Sequence, residues 1–470
     1  MIGKILFCSS EVAPYAKTGG LADVAGALPA ALRSKGIDCE SVMPYYGSIK
    51  NMGIKTEHVT DLLFPMGYGL ATAGIYRHEH VYFIENDEHF LRSSLYTYQN
   101  NDFPDNLERF AFFSRACVEL ACHLSADIMH INDWQTALAS AYLKALEIKG
   151  ISTLFTIHNL AYQGNFDTSL WPILLLPRDF YTPSCMEYFG RINIMKAGIV
   201  LSDAVSTVSR SYAREIQTPE FGVGLDGLLR SISANLYGIT NGIDIEEWNP
   251  ETDRLLPANF HSGDMSGKKK CKSELKKHFG LDDKFDAPVF GIVSRLVSQK
   301  GIDLVADIIP EISGNAHIVI LGSGEEWLQN RLRSLASSYT GRIGLHIGFS
   351  ESLAHLIEAG SDFFLMPSRF EPCGLNQLIS LRYGTIPIVT NVGGLADTVT
   401  AAGEGPLPNG IRVTFPDYAS LLGAARYAIE IYNSNMSLLE EMITNSMNTN
   451  VSWDNPANEY FELYNKIKGF

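Results

Sequence analysis

Short continuous apolar runs alternate with helically patterned stretches along nearly the whole 470-residue chain. An apolar run of four to six residues bounded by helical patterns marks a strand buried on both faces, as in βαβ units of a parallel sheet. In the first half the pattern predicts strands at 4–9, 81–84, 127–131, 152–157 and 204–208, with helices over 21–34 and 107–123. In the second half it predicts strands at 289–293, 317–321, 344–347, 363–366 and 386–390. Between 249 and 287 the alternation gives way to polar sequence rich in Pro, Gly and Lys, which reads as a passage between two Rossmann-like domains. Its lysine run, 267–277, reads as the solvated face of one short helix. The fold class is α/β, and such sheets bind ligands at the carboxyl ends of their strands.

Those strand ends carry the candidate chemistry. After the first strand, Lys17-Thr18-Gly19-Gly20-Leu21-Ala22-Asp23 opens a helix, and paired glycines there leave backbone amides open to an anion. Gly-rich turns also serve as plain connectors, so both readings stand. The block recurs as Gly393-Gly394-Leu395-Ala396-Asp397, either a functional echo or two tight helix starts. His130 and His158 follow first-half strands, where a satisfied core histidine is as natural as a catalytic one, and Asp133 lies just beyond His130. In the second half Arg295 and Lys300 share the loop after strand 289–293, suited to neutralising a diphosphate or simply exposed on the surface. After strand 363–366, Glu371 precedes Pro372, Cys373, Gly374, Leu375 and Asn376. Glu371 is placed to accept sugar hydroxyls or merely to start a helix, and Cys373 is a reactive or a packed thiol.

Composition narrows the field. With 46% hydrophobic and 19% charged residues the chain is globular, and its net charge of -15 argues against nucleic acid or an anionic membrane as partner. Seven cysteines without CxxC spacing fit a reducing compartment, so a cytoplasmic location is expected. No two aspartates are spaced Asp-x-Asp, so no metal is expected at a diphosphate and the cofactor expectation is none.

Together these segments resemble bacterial glycogen synthases and plant starch synthases. The resemblance rests on 10–24, 156–164, 224–227, 241–244 with 248–250, 294–296 with 299–301, and 367–375, in order and nearly end to end. It implies the GT-B architecture: domains at 1–248 and 249–450 facing across a cleft, and a C-terminal crossover helix, 451–470, returning to the first. It implies transfer of glucose from ADP-glucose to an α-1,4-glucan with retention of configuration, UDP-glucose being the alternative donor and a non-catalytic glucan-binding relative the alternative role. On the family pattern Lys17, Gly19, Gly20, Asp23, Gly374, Leu375 and Asn376 would lie at the donor. His158, Arg295, Lys300 and Glu371 would be catalytic, with Asp133, Asn241 and Cys373 in support. Gln135, Phe349 and Asn376 depart from that pattern, where histidine, tyrosine and threonine are common. A nicotinamide-dependent oxidoreductase would also have Rossmann domains, and Gly322-Ser323-Gly324 is its best support, without a third glycine at the fingerprint spacing.

Overall fold

The strand Lys4–Cys8 lies in the middle of a nine-stranded sheet, paired in parallel with Asp38–Pro44 on one side and Ile128–Asn132 on the other. The computed structural model describes residues 3–98 and 101–469. Beyond Ile128–Asn132 the parallel order continues through Ser152–Ile157, Ala204–Thr207 and Leu236–Gly238. Beyond Asp38–Pro44 comes Val81–Glu85, and an antiparallel hairpin, Glu57–Met66 with Gly69–His78, finishes that edge. From Lys4–Cys8 the chain builds one side of the sheet, reaching its edge before coming back to Val81–Glu85, and then builds the other side outward. The two strands at this reversal, Lys4–Cys8 and Ile128–Asn132, send their connections to opposite faces of the sheet, which opens a crevice at their carboxyl ends.

A second sheet repeats the plan with six parallel strands, in spatial order Ile343–Ile347, His317–Gly322, Val289–Val293, Phe363–Met366, Ile386–Thr390 and Ile411–Val413. Here the reversal falls between Val289–Val293 and Phe363–Met366. Helices cover it because their apolar faces have the matching period. In Ile302–Ile312, Ile302, Val305, Ile309 and Ile312 all face the core with its strands. Each such side chain fully buried stabilises the fold by about 1.5–3 kcal/mol.

The chain divides into two compact units, Met1–Asn241 with Trp453–Phe470, and Gly242–Ser452. The C-terminal helix Asp454–Lys468 belongs to the first unit, where the buried Tyr464 hydroxyl meets Nδ1 of His130 at 2.7 Å. His130 passes the contact on through Nε2 to Thr156 and Thr156 to Ser206, each at 2.6 Å, so a polar chain runs across three neighbouring strands. Arg210 with Glu459 and Lys466 with the Tyr237 hydroxyl hold the helix at the surface.

All ten predicted strands and the two helices predicted at 21–34 and 107–123 occur within one residue of the expected ends. The lysine run is corrected in part, since Lys269, Lys270 and Lys277 are exposed as expected. It forms the helix Ser266–His278, but Lys268 and Lys276 are buried in the second unit. Lys268 Nζ donates to the carbonyls of Ala359 and Tyr383 at 3.0 and 3.1 Å and to the Thr385 hydroxyl at 2.6 Å. Lys272 pairs with Asp362 at 2.7 Å. Lys268 packs inward because it has three fixed oxygens to meet, and burial lowers its pKa only to about 8. The 249–287 segment as a whole lies on the second unit, with Phe260, Cys271 and Leu275 in its core.

Replacing Lys268 by Met keeps the volume and strands three acceptors. Lys268→Met is expected to lower stability by about 3 kcal/mol, read as an earlier midpoint in urea. An unchanged midpoint would show that the buried ammonium contributes nothing.

Candidate active site

In the first unit the site begins with Glu11, in the loop that leaves Lys4–Cys8. Its side chain is 3% exposed and accepts from the Thr18 hydroxyl at 2.6 Å, from the Thr18 amide, and from the Tyr96 hydroxyl at 2.6 Å. Burial raises the Glu11 pKa and these hydrogen bonds oppose the rise. The carboxylate thus fixes the turn that presents Gly19 and Gly20. Gly20 begins the helix Gly20–Ser34, and its N-cap, Gly19, offers no side chain to cover the first amides. Gly19 is extended and a Cβ built on it meets nothing within 4 Å, so no packing inside the chain requires a glycine there. Lys17 Nζ rests on Asp23 at 2.6 Å, with both groups partly exposed.

Across the reversal, Asp133 follows Ile128–Asn132 with φ of 54°, a left-handed conformation that strains a non-glycine residue by about 1–3 kcal/mol. The strain aims its carboxylate at the next strand end, where Oδ1 accepts from the amides of His158 at 2.7 Å and Asn159 at 3.4 Å. Burial raises the Asp133 pKa to about 7 against those hydrogen bonds, and the charge of Glu11 adds to the rise. His158 is held from its other side by Asn132 Oδ1, 2.8 Å from Nε2. Asn132 Nδ2 donates to the carbonyls of Cys8 and His130, which fixes the amide's orientation. Its oxygen can then only accept, so His158 carries its hydrogen on Nε2 and presents a lone pair at Nδ1. Burial lowers the His158 pKa to about 3, so the ring is neutral at any physiological pH.

In the second unit Lys300 ends a turn of 3-10 helix, Ser298–Lys300, after Val289–Val293. Its ammonium lies 2.5 Å from Glu371 Oε2, which also accepts from the Ser368 hydroxyl at 3.0 Å. The two loops at this reversal are locked together. Arg369 grips Asp303 with two hydrogen bonds of 2.8 and 2.7 Å, and the Arg369 amide donates to the Gln299 carbonyl at 2.9 Å. Gly301 has φ of 69°, and any Cβ on it would lie 2.2 Å from the Pro367 carbonyl. Arg295 is exposed, with its guanidinium 3.5 Å from Gln299 Oε1. Gly374 is left-handed with φ of 75°, Leu375 caps the helix Asn376–Arg382, and Cys373 is buried. Gly393 and Gly394 press on the backbone of this loop, and a Cβ on Gly393 would sit 1.9 Å from the Glu371 carbonyl.

Sequence reasoning named neither the Glu11 carboxylate nor Asn132 as site residues. A lone carboxylate just past the apolar run of the first strand was the available signal for Glu11; for Asn132 there was none. Asn241 is buried at the end of the first unit, and its Oδ1 has no hydrogen-bond partner among the described residues. Gly322 and Gly324 are explained by packing, since Cβ atoms there would lie 1.9 and 2.2 Å from the carbonyls of Ser294 and Leu296. They seat the Arg295 loop, which removes the main support for the oxidoreductase reading.

The starch synthase catalytic domain model matches residues 4–231, and the glycosyl transferases group 1 model matches residues 273–447. A glycogen synthase of Myxococcus xanthus is 45% identical, over 98% of this chain and 99% of that one. A glycogen synthase of an Anaeromyxobacter species is 44% identical, over 99% of both. The chain belongs to the glycogen and starch synthase family. The catalytic domain of starch synthase IV from Arabidopsis thaliana, solved with ADP and acarbose, superposes with a TM-score of 0.92 at 32% identity and covers all of both chains. The chain thus has the two-domain GT-B fold and is a hexosyltransferase with glycogen or starch synthase activity.

The three departures from the family pattern fall in different settings. Gln135 is buried with Oε1 unpartnered among the described residues, and Phe349 is 84% exposed. Asn376 Nδ2 donates to the Val293 carbonyl at 2.6 Å, so the residue that stands where this family commonly has threonine ties its helix to the end of Val289–Val293.

Two outcomes follow for a member of this family with this geometry. Gly393→Ala should destabilise by several kcal/mol, because the new methyl meets fixed backbone, whereas Gly19→Ala should cost no more than about 1 kcal/mol. Equal losses in thermal unfolding would show that the two glycine pairs are not different in kind. Asp133 holds its proton to about pH 7 when folded but loses it near 3.8 when unfolded. Its contribution is therefore fully present below pH 3.8 and is lost as pH rises through 7. Asp133→Asn should flatten the decline of stability between pH 4 and 7, and a wild-type slope in the variant would show that Asp133 is ionised throughout.

Proposed function

We propose that the chain transfers glucose from ADP-glucose to the non-reducing end of an α-1,4-glucan such as glycogen, with retention and without a metal at the reacting centre. The observation that carries this reading is the Lys300–Glu371 pair, 2.5 Å apart at the second unit's strand reversal, with Arg295 earlier in the Lys300 loop. A diphosphate arriving there competes for the ammonium. Lys300 and Arg295 then neutralise the leaving group, and Glu371, released from Lys300, accepts hydrogen bonds from glucose hydroxyls. Gly374, Leu375 and Asn376 border the same phosphates, with Cys373 packed beneath them. From the first unit, Lys17, Gly19 and Gly20 supply a cation and bare amides, and Asp23 keeps Lys17 oriented. The absence of an Asp-x-Asp spacing supports charge neutralisation by the chain's own cations.

His158 faces the sugar in this proposal. Its neutral Nδ1 lone pair accepts a hydroxyl hydrogen, and its main-chain carbonyl stabilises the positive charge that develops at C1. Asp133 and Asn132 hold both in place, and Asn241 offers an unpartnered oxygen for the sugar or the acceptor. The C1–O bond breaks with its electron pair going to the phosphate. The acceptor hydroxyl oxygen bonds C1 from the same face, and its proton passes to the departing phosphate. Retention follows without a nucleophile on the opposite face. Seven free cysteines suit a cytoplasmic enzyme.

The test is incorporation of labelled glucose into glycogen from ADP-glucose and UDP-glucose at matched concentration. ADP-glucose should give a kcat/KM at least about tenfold higher, a difference of about 1.4 kcal/mol in transition-state binding. Equal use of the two donors would overturn the donor assignment, and no transfer from either would overturn the activity. Lys300→Ala and Glu371→Ala should each lower kcat by about a hundredfold or more in folded protein. Near-normal turnover in either would show the reacting site lies elsewhere.

A further inference from the structure

We infer that the second unit holds a divalent transition-metal site made by Glu247, Glu351 and His355, with Zn2+ the best-matched ion. One ligand atom from each residue lies within 4.8 Å of the others. None of the three belongs to the donor set, and the family pattern assigns them nothing.

Local structure brings them together. Glu351 and His355 are four residues apart on the helix Glu351–Gly360, so their side chains share one face. Ser350 caps that helix through the Leu353 amide at 3.4 Å. Glu247 comes from a turn closed by Asp244, whose Oδ1 accepts from the amides of Glu246 and Glu247 at 2.9 and 3.1 Å. The neighbouring Trp248 stacks on the His355 ring, centroids 3.9 Å apart and planes within 14°.

The histidine turns an acidic cluster into a site. His355 is 2% exposed, and Nδ1 lies 2.7 Å from Asp253 Oδ2. Asp253 is an acceptor on both sides, since the Tyr383 hydroxyl donates to Oδ2 at 2.6 Å and the Leu255 amide to Oδ1 at 2.9 Å. Nδ1 therefore carries the hydrogen, and Nε2 has a bare lone pair, buried and without a hydrogen-bond partner among the described residues. A carboxylate behind a histidine, leaving the other nitrogen bare, is the arrangement that orients metal-ligating imidazoles. Imidazole with two carboxylates suits Zn2+, leaving a fourth position for water, and disfavours Mg2+ and Ca2+, which take oxygen ligands alone.

The distances also suit this ion. Tetrahedral Zn2+ with bonds of about 2.0–2.1 Å sets its ligand atoms about 3.4 Å apart. Closing from within 4.8 Å needs only the two glutamates to move, and both are exposed while the histidine is fixed. The ion would join the turn at 244–248, shortly after the chain enters the second unit, to the helix Glu351–Gly360.

The full-length protein, stripped with a chelator and titrated with ZnCl2 in a calorimeter, should bind one ion per chain with micromolar or better affinity. Saturation should raise its Tm by about 5 °C, and Mg2+ at the same concentration should not. Glu247→Gln with Glu351→Gln, both at exposed positions, should weaken Zn2+ binding at least tenfold while leaving the metal-free Tm unchanged. Co2+ should give visible ligand-field absorption that the double variant loses. Absence of saturable Zn2+ binding overturns the site, as does binding that the double variant retains or an equal Tm response to Mg2+.

Discussion

A parallel sheet whose strand order reverses has one place on its carboxyl edge where adjacent connections leave for opposite faces, and no helix can fill the gap between them. Both sheets of this chain have such a place, between Lys4–Cys8 and Ile128–Asn132 and between Val289–Val293 and Phe363–Met366. Every residue argued above to touch the donor or the transferred sugar lies in a loop leaving one of these four strands, or the strand next in line, except Asn241. Backbone topology decides where chemistry is available. Side chains then decide which chemistry it is.

The two reversals are held by similar devices. In the first unit Asn132 donates from the second strand to the carbonyl of Cys8, the last residue of the first. In the second unit Asn376, from the helix after the second strand, donates to the carbonyl of Val293, again the last residue of the first. Each amide bridges the crevice at its base and leaves the loops above it in fixed positions. The polar groups above are mutually satisfied or neutral. Lys300 rests on Glu371 and Lys17 on Asp23, while burial holds His158 uncharged. The backbone of each crevice is thus fixed without a ligand, which favours electrostatic stabilisation by groups already in place.

What could be read from sequence tracks what buried strands require. All ten predicted strands were legible, because a strand covered on both faces is dominated by apolar residues and keeps most charge to its ends. Asp38–Pro44 was not, since Glu40 breaks the run; it is buried and paired with Arg77 at 3.0 Å, a partner on a strand two places away that no local pattern reveals. The edge hairpin Glu57–Met66 with Gly69–His78 was missed for the opposite reason, its first strand being mostly exposed and both strands mixing polar with apolar residues. In the site, residue types at strand ends were legible, as Lys300 and Glu371 show. Their partners were not. That Asp133 would be strained onto the His158 amide, or that Lys268 would be buried among carbonyls, depends on contacts between segments remote in sequence.

The repeated block Gly-Gly-Leu-Ala-Asp shows how far identity of sequence can stand from identity of cause. In the second unit both glycines are required by the chain itself, since Cβ atoms on Gly393 and Gly394 would lie 1.9 Å from the Glu371 carbonyl and 2.2 Å from that of Cys373. There the block is a buttress, and Glu371 stands on it. In the first unit Gly19 has ordinary extended geometry and open space around the missing Cβ. Nothing within the chain forbids a side chain at that position, so beyond its use as an N-cap a glycine there leaves the backbone open to an approach from outside. Openness at Gly19 and crowding at Gly393 are therefore opposite kinds of support for one reading. In the function proposed above the first block lies open to a ligand, and in the second unit the block shapes the loop that carries Glu371.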